Sequence, residues 1–337
     1  MRSYHLTALG TVDGYVLREE ERPEPGPGQI LVRVRAVSFN KRDEMILNGV
    51  YPMPSKPDLI PMSDGAGDVV ALGEGVTRVA VGDRVIGSYW SRWEDGPLTY
   101  DAADQLGCSS DGMLTEYALM DARAAVRFPD SLSYEEAATL PCAAVTAWTS
   151  ITGGAPIVPG QTLVTLGTGA VSLFALQLGK HLGLRVLITT SRDENAQALR
   201  DLGADAVVNY RSEPNWSKAV KEFTGGRGAD IVVNTAGPGG AAESMRAAGL
   251  YGHIVQLTTT APGVESVSFP GDAWAQTMAT VRRVFVGSRA DLEQVVELIA
   301  ATGMKPQVDK IFTFDELHEA FRYYQSGAAF GKVVVTV

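Results

Sequence analysis

Cysteine is nearly absent from this sequence: 337 residues contain only Cys108 and Cys142. Two thiols make no disulfide framework, so a reducing, cytoplasmic setting is expected. Histidine is almost as scarce, and His5, His181, His253 and His318 show no ligand spacing. No stretch approaches the ~20 apolar residues that a bilayer span demands, and the opening MRSYHLTALG has no apolar signal segment. No membrane partner is expected. Basic residues are outnumbered 29 to 39, and a formal charge of −10 disfavours nucleic acid as a partner. The acidic residues are dispersed, as on a solvated surface, and there is neither an internal repeat nor a low-complexity segment.

What is present is an ordinary globular composition, 45% hydrophobic and 20% charged, in a chain long enough for two domains. The first ~120 residues read as β structure. After the turn Pro25-Gly26-Pro27-Gly28, residues Ile30, Val32, Val34 and Ala36 alternate with Leu31, Arg33, Arg35 and Val37, which predicts a half-buried antiparallel strand. Short β-rich runs at 68–72 and 84–87 follow, separated by glycine turns. Residues 88–111 carry Trp90, Trp93 and Tyr100 but no pattern, as a functional loop or a disordered one would. Beyond Pro129 the texture changes. Ser133 and Glu136 have the spacing of a capping box. Strands at 162–166, 185–189, 206–209, 230–234, 253–257 and 283–286 then alternate with helices, among them 171–182, 194–202 and one around 243–248. Six short apolar strands with helices between them predict an α/β, doubly wound parallel sheet. A helix at 291–301 and a β-rich tail ending in Gly331-Lys332-Val333-Val334-Val335 complete the chain.

Gly167-Thr168-Gly169-Ala170-Val171-Ser172 lies between the first of these strands and the first helix. A glycine-rich turn there lets backbone N–H groups and a helix N-terminus meet a pyrophosphate, although Ser172 replaces the third glycine. The alternative is an ordinary strand–helix turn. At the end of the second strand a dinucleotide enzyme specific for NAD usually carries an acid. Here Thr190 holds that position, followed by Ser191 and Arg192, which offer a hydroxyl and a cationic fork to a 2′-phosphate. NADPH is favoured over NADH, with Asp193 counting against it and a solvated loop arginine as the other reading of Arg192.

These motifs resemble the medium-chain dehydrogenase/reductase superfamily, in its zinc-free branch with the quinone oxidoreductases. The resemblance rests on Ser38-Phe39-Asn40-Lys41-Arg42-Asp43, on Gly82-Asp83-Arg84-Val85, on Ala137-Ala138-Thr139-Leu140-Pro141, and on the Leu202-Gly203-Ala204-Asp205 and Asn209-Tyr210-Arg211 pieces. It implies a GroES-like β-barrel substrate domain over 1–124, completed by 291–337, and a Rossmann NADP-binding domain over 125–290. It also implies cofactor contacts at Thr146, Gly167, Gly169, Ala170, Val171, Ser191, Arg192 and Tyr210. By the same alignment Asn40 and Ser63 stand where zinc relatives place a cysteine and a histidine, and only Cys142 keeps a ligand position. One soft ligand does not hold a catalytic zinc, so no metal is expected, and Cys142 reads as a small buried residue rather than a nucleophile.

Without a metal, other groups must receive the charge that hydride transfer places on the substrate. A quinone or enone delocalises that charge and needs less help than a simple ketone. The resemblance implies catalytic roles for Asn40, Asp43 and Tyr51, with Tyr51 either a proton donor or an aromatic wall. The tryptophans are either pocket lining or core. The expected function is NADPH-dependent, zinc-independent reduction of an enone or quinone, a small-molecule substrate. The alternatives are zinc-independent alcohol or aldehyde oxidoreduction and an NADPH-binding protein with little turnover. Relatives join their Rossmann sheet edges, so a homodimer is expected, with 253–260 and 266–269 supplying the edge.

Overall fold

The computed structural model describes residues 1–258 and 266–337, in two compact units, Met1–Val145 with Val286–Val337 and Thr146–Phe285. The first unit runs further along the chain than the expected 1–124. The strand Ala125–Arg127 pairs with Arg84–Gly87, and the short helix Tyr134–Ala137 packs on the strands Gln29–Ser38 and Asp64–Leu72, so this segment contributes to the N-terminal core.

The first unit is built on a seven-stranded sheet around Gln29–Ser38, which pairs antiparallel with Asp64–Leu72, Tyr117–Asp121 and Lys332–Thr336. Ile30, Val32, Val34 and Ala36 are buried as the alternation predicts, and Arg33 faces out. Leu31 and Val37 are buried too. Gly67 pairs with Val34, and the neighbouring Arg33 carbonyl oxygen would lie 2.1 Å from any Cβ there, so no side chain fits at that crossing. The capping box at Ser133 and Glu136 forms, with Glu136 N–H donating to Ser133 Oγ at 3.2 Å. The helix it opens is one turn long. It is followed by a π-turn at Leu140–Ala144 and the helix Val145–Thr152.

The tail departs from its β-rich expectation. Between the strands Val308–Thr313 and Lys332–Thr336 lies a helix, Leu317–Gln325, which buries Leu317, Ala320 and Phe321 at helical spacing. The preceding helix runs over Arg289–Thr302, starting earlier than expected because Ser288 caps it through Asp291.

The second unit holds six parallel strands. In spatial order they are Ala206–Asn209, Arg185–Thr190, Thr162–Thr165, Ala229–Asn234, Ala248–Gln256 and Thr280–Arg283. The order reverses between Thr162–Thr165 and Ala229–Asn234, which opens a crevice at their carboxyl ends. The last strand lies earlier than the expected 283–286: Val284 and Val286 are apolar and buried, but the ladder with His253–Gln256 uses Thr280–Arg283. This corrects the expected dimer edge. His253–Gln256 is paired on both sides, 266–269 is not a strand, and among the described residues the sheet ends on that side at Thr280–Arg283. Thr259 and Thr260 of the expected edge lie outside the described residues.

Candidate active site

In the second unit, the strand Thr162–Thr165 turns through Gly167 and Gly169 into the helix Ala170–His181. Gly167 has φ +78°, a left-handed conformation that glycine adopts freely, and its N–H donates to Thr189 Oγ1 at 3.1 Å. A Cβ on either glycine would meet nothing within 4 Å, so the space over both backbones is open. Gly169 caps a twelve-residue helix without a side-chain acceptor, and Ala170 and Val171 form its first turn. Their N–H groups and the helix dipole favour an anion there. Ser172, in place of a third glycine, is buried. Its hydroxyl donates to the Leu166 carbonyl at 2.6 Å and lies 3.1 Å from Thr235 Oγ1, so it braces the turn from behind.

Thr190, the residue at the acidic position, is also buried. Its hydroxyl donates to the Arg192 carbonyl at 3.1 Å and accepts from Arg192 N–H at 3.2 Å. Arg192 is exposed and Ser191 half-buried. Asp193, which counted against a phosphate, accepts from Asn209 Nδ2 at 2.8 Å. Tyr210 N–H donates to the Thr190 carbonyl at 3.0 Å, so Thr190, Ser191, Arg192 and Tyr210 share one corner of the sheet. Thr146 is buried in the first turn of its helix, where its carbonyl accepts from Ser150 Oγ at 2.6 Å. Sequence reasoning missed Asn234, wholly buried at the far side of the crevice, which donates to the Gly237 carbonyl at 2.9 Å and to Gln256 Oε1 at 2.8 Å. The signal was legible: Asn234 ends an apolar strand and runs into Thr235-Ala236-Gly237.

The first unit gathers an unusual number of buried polar groups. Asn40 precedes the helix Lys41–Leu47, and its backbone N–H donates to Asp43 Oδ2 at 2.7 Å. Lys332, 1% exposed, spends its three donors on the Phe39 carbonyl at 2.8 Å, Asn40 Oδ1 at 2.9 Å and Asp64 Oδ2 at 3.3 Å. Asp64, 0% exposed, also accepts from Ser63 Oγ at 2.7 Å and from Cys142 N–H at 3.3 Å. Asn40 Nδ2 and Asp43 Oδ1 are buried without a hydrogen-bond partner. Burial pushes the Asp43 carboxyl up to about 6 and neighbouring Asp64 adds to the rise, while Arg42, the Asn40 N–H and Lys332 oppose it. Burial also pushes the Cys142 thiol well up, with Asp64 adding to it.

Arg42 joins this cluster to a second one. Its guanidinium is buried, donates to the carbonyls of Leu106 at 2.7 Å and Gly107 at 3.1 Å, and lies 5.5 and 4.6 Å from the ring centres of Tyr51 and Tyr89. The two hydroxyls are 2.6 Å apart, and Gln105 Oε1 lies 2.8 Å from Tyr51 and 3.1 Å from Tyr89. Burial pushes the Tyr51 phenol up to about 12, and Arg42 and Tyr89 hold it from rising further. The structure therefore links Asn40, Asp43 and Tyr51 through Arg42 and places Thr146 in the other unit. Arg42, Asp64, Tyr89, Gln105 and Lys332 were missed by sequence reasoning; only the burial-defying Lys332 before a valine run gave a hint. Asn40, Ser63 and Cys142 supply a single thiol, and among the described residues no group of three His, Cys, Asp or Glu side chains is arranged to hold a metal.

Two family models match the chain: an alcohol dehydrogenase GroES-like domain over residues 26–130 and a zinc-binding dehydrogenase over 170–301. A zinc-type alcohol dehydrogenase-like protein from Schizosaccharomyces pombe is 37% identical over 332 residues, covering 95% of each chain. An acryloyl-coenzyme A reductase from Metallosphaera sedula is 27% identical, covering 98% of this chain and 99% of its own. Among solved structures, an NAD-dependent alcohol dehydrogenase superposes with a TM-score of 0.87 at 26% identity, with 100% of each chain covered.

Proposed function

Because this chain belongs to the medium-chain dehydrogenase/reductase superfamily, whose members are nicotinamide-dependent oxidoreductases, we propose that it uses NADPH, without zinc, to reduce an activated C=C bond or a quinone. The observation that carries this reading is the linked cluster of Lys332, Asn40, Asp43, Arg42 and Tyr51. It provides donors, a buried cation and a phenol where a zinc enzyme needs three metal ligands. The open backbone at Gly167 and Gly169 fits a pyrophosphate, and Ser191 and Arg192 fit a 2′-phosphate beside a position that lacks an acid. When bound, the reduced cofactor supplies a hydride.

Reduction of an enone leaves negative charge on its oxygen and an α-carbon that needs a proton. Tyr51 is the one group of the cluster that is neutral, half-buried and able to give a proton at neutral pH. Asn40, with its Oδ1 committed to Lys332, keeps Nδ2 as a donor for developing charge, and Asp43 holds the Asn40 backbone. The similarity to an acryloyl-coenzyme A reductase supports C=C chemistry. The alcohol dehydrogenases among the relatives favour a second reading, zinc-independent oxidoreduction of a C–O bond. We further propose a cytoplasmic homodimer formed through the edge strand Thr280–Arg283, which would pair an otherwise open sheet edge.

The test is NADPH oxidation by the purified, zinc-assayed protein against enones, quinones, aldehydes and ketones. Enones or quinones should turn over fastest, and Tyr51→Phe should lower kcat for the best enone by at least ~10² while NADPH affinity holds. About one zinc per chain, with activity lost on chelation, would overturn the metal-free reading. Faster turnover of aldehydes than of enones would favour the second.

A further inference from the structure

We infer that Arg42 and Tyr89 act on Tyr51 as positioning residues, holding the negative charge its oxygen acquires once it has given its proton to a carbon. This inference rests on the reading of Tyr51 as the proton donor.

Three oxygens, those of Tyr51, Tyr89 and Gln105 Oε1, lie 2.6 to 3.1 Å from one another and share only two hydroxyl protons. A carbonyl oxygen donates nothing, so one of the three contacts is always without a proton. In the resting arrangement Tyr51 can donate to Gln105 and accept from Tyr89. When Tyr51 turns its proton toward a substrate, the Tyr89 hydroxyl still has its own proton to offer the Tyr51 oxygen. Tyr89 is 2% exposed and its ring lies against Arg42, which holds its hydroxyl in place.

Arg42 sets a positive charge against both rings. A guanidinium this deeply buried normally faces a carboxylate. Arg42 has none within ion-pair distance among the described residues, and donates instead to two backbone carbonyls. Those carbonyls belong to a fixed turn. Gly107 has φ +65°, and a Cβ there would lie 2.5 Å from the Met62 backbone, so only glycine permits the turn. The fold thus uses a constrained loop to keep a cation beside two phenols with no carboxylate in direct ion-pair contact. The other titratable groups acting on Tyr51 are the thiols of Cys108 and Cys142, both of which disfavour a phenolate.

In the step itself the Tyr51 O–H bond breaks and a C–H bond forms at the α-carbon from the enolate electron pair. The negative charge passes to the Tyr51 oxygen, where the Tyr89 hydroxyl and the Arg42 guanidinium receive it. A proton from solvent water then restores the phenol.

Quinones provide the discriminating substrate, because their reduction adds protons only to oxygen, which water can supply. Tyr89→Phe keeps the ring under Arg42 and deletes only the hydroxyl. It should lower kcat for an enone about tenfold, leave a quinone within about twofold, and raise the solvent deuterium isotope effect on the enone reaction. Arg42→Gln should slow enones at least tenfold and by a clearly larger factor than it slows quinones, and Arg42→Lys should recover most of the enone loss. Equal losses on enone and quinone in Tyr89→Phe would mark a packing role and overturn the inference. So would wild-type enone turnover in Tyr89→Phe when Tyr51→Phe is slow. Wild-type enone turnover in Tyr51→Phe would instead remove Tyr51 as the donor, and the inference with it.

Discussion

The glycine turn of the second unit and the polar cluster of the first are built in opposite ways. The turn is made of backbone and neutral hydroxyls: Gly167, Gly169, Ser172 and Thr235 present or brace N–H groups and carry no net charge. The cluster is made of ionisable side chains, with Lys332 and Asp64 at 1% and 0% exposure and Asp43 and Arg42 close behind. A site of oriented amides costs little when empty. A site of buried ions is expensive to dehydrate and is held together by its own pairing, so that removing one member strands the others.

The sharpest way to break that comparison is Lys332→Met. It leaves Asp64 buried beside only neutral donors and should cost about 3–5 kcal/mol of stability, read from urea midpoints. Adding Asp64→Asn should restore most of the loss, and a fully stable single variant would show that the pair does not hold the fold. A second difference appears in the pH dependence. The folded Asp43 carboxyl titrates near 6 instead of 3.8, so the native state binds this proton more tightly than the unfolded chain. Its contribution to stability is therefore greatest below about pH 4, declines as the pH rises to about 6, and is then constant. The full change is at most about 3 kcal/mol, and Asp43→Asn should abolish it in urea titrations across that range. The turn side should respond in binding instead of stability. Arg192→Ala should weaken NADPH binding by about 1.5–3 kcal/mol and leave NADH unchanged, by calorimetry. Equal wild-type affinity for the two cofactors would refute the phosphate role.

The same contrast decides what could be read without a structure. The turn, Thr190 and Arg192 could be placed because each sits at a strand end, where local glycine and strand patterns fix the position. The doubly wound sheet was legible for the same reason, since strand and helix alternate in short, periodic pieces. Asn40, Asp43 and Tyr51 came only through family resemblance. Their partners escaped, because the cluster unites residues as far apart as Phe39 and Lys332, 293 positions along the chain. No local period marks Gln105 in a patternless loop, or a lysine at the head of a valine strand. The last Rossmann strand was misplaced because Val284 and Val286 have strand composition yet lie past the ladder. The helix Leu317–Gln325 was missed because its buried face is only three residues, Leu317, Ala320 and Phe321.

The central strand Gln29–Ser38 waits for Lys332–Thr336 as one of its neighbours, and this sets an order of events during synthesis. All six strands of the second unit leave the ribosome before Lys332 is made, so that unit can fold while the chain is still growing. The unit translated first is thus completed last. Until then Asp64 has no ammonium beside it, and the nascent N-terminal sheet presents an open edge along 36–38. A ribosome stalled a few codons short of Lys332 would carry a finished nucleotide-binding unit and an unfinished barrel, the form of this protein most exposed to chaperones and proteases.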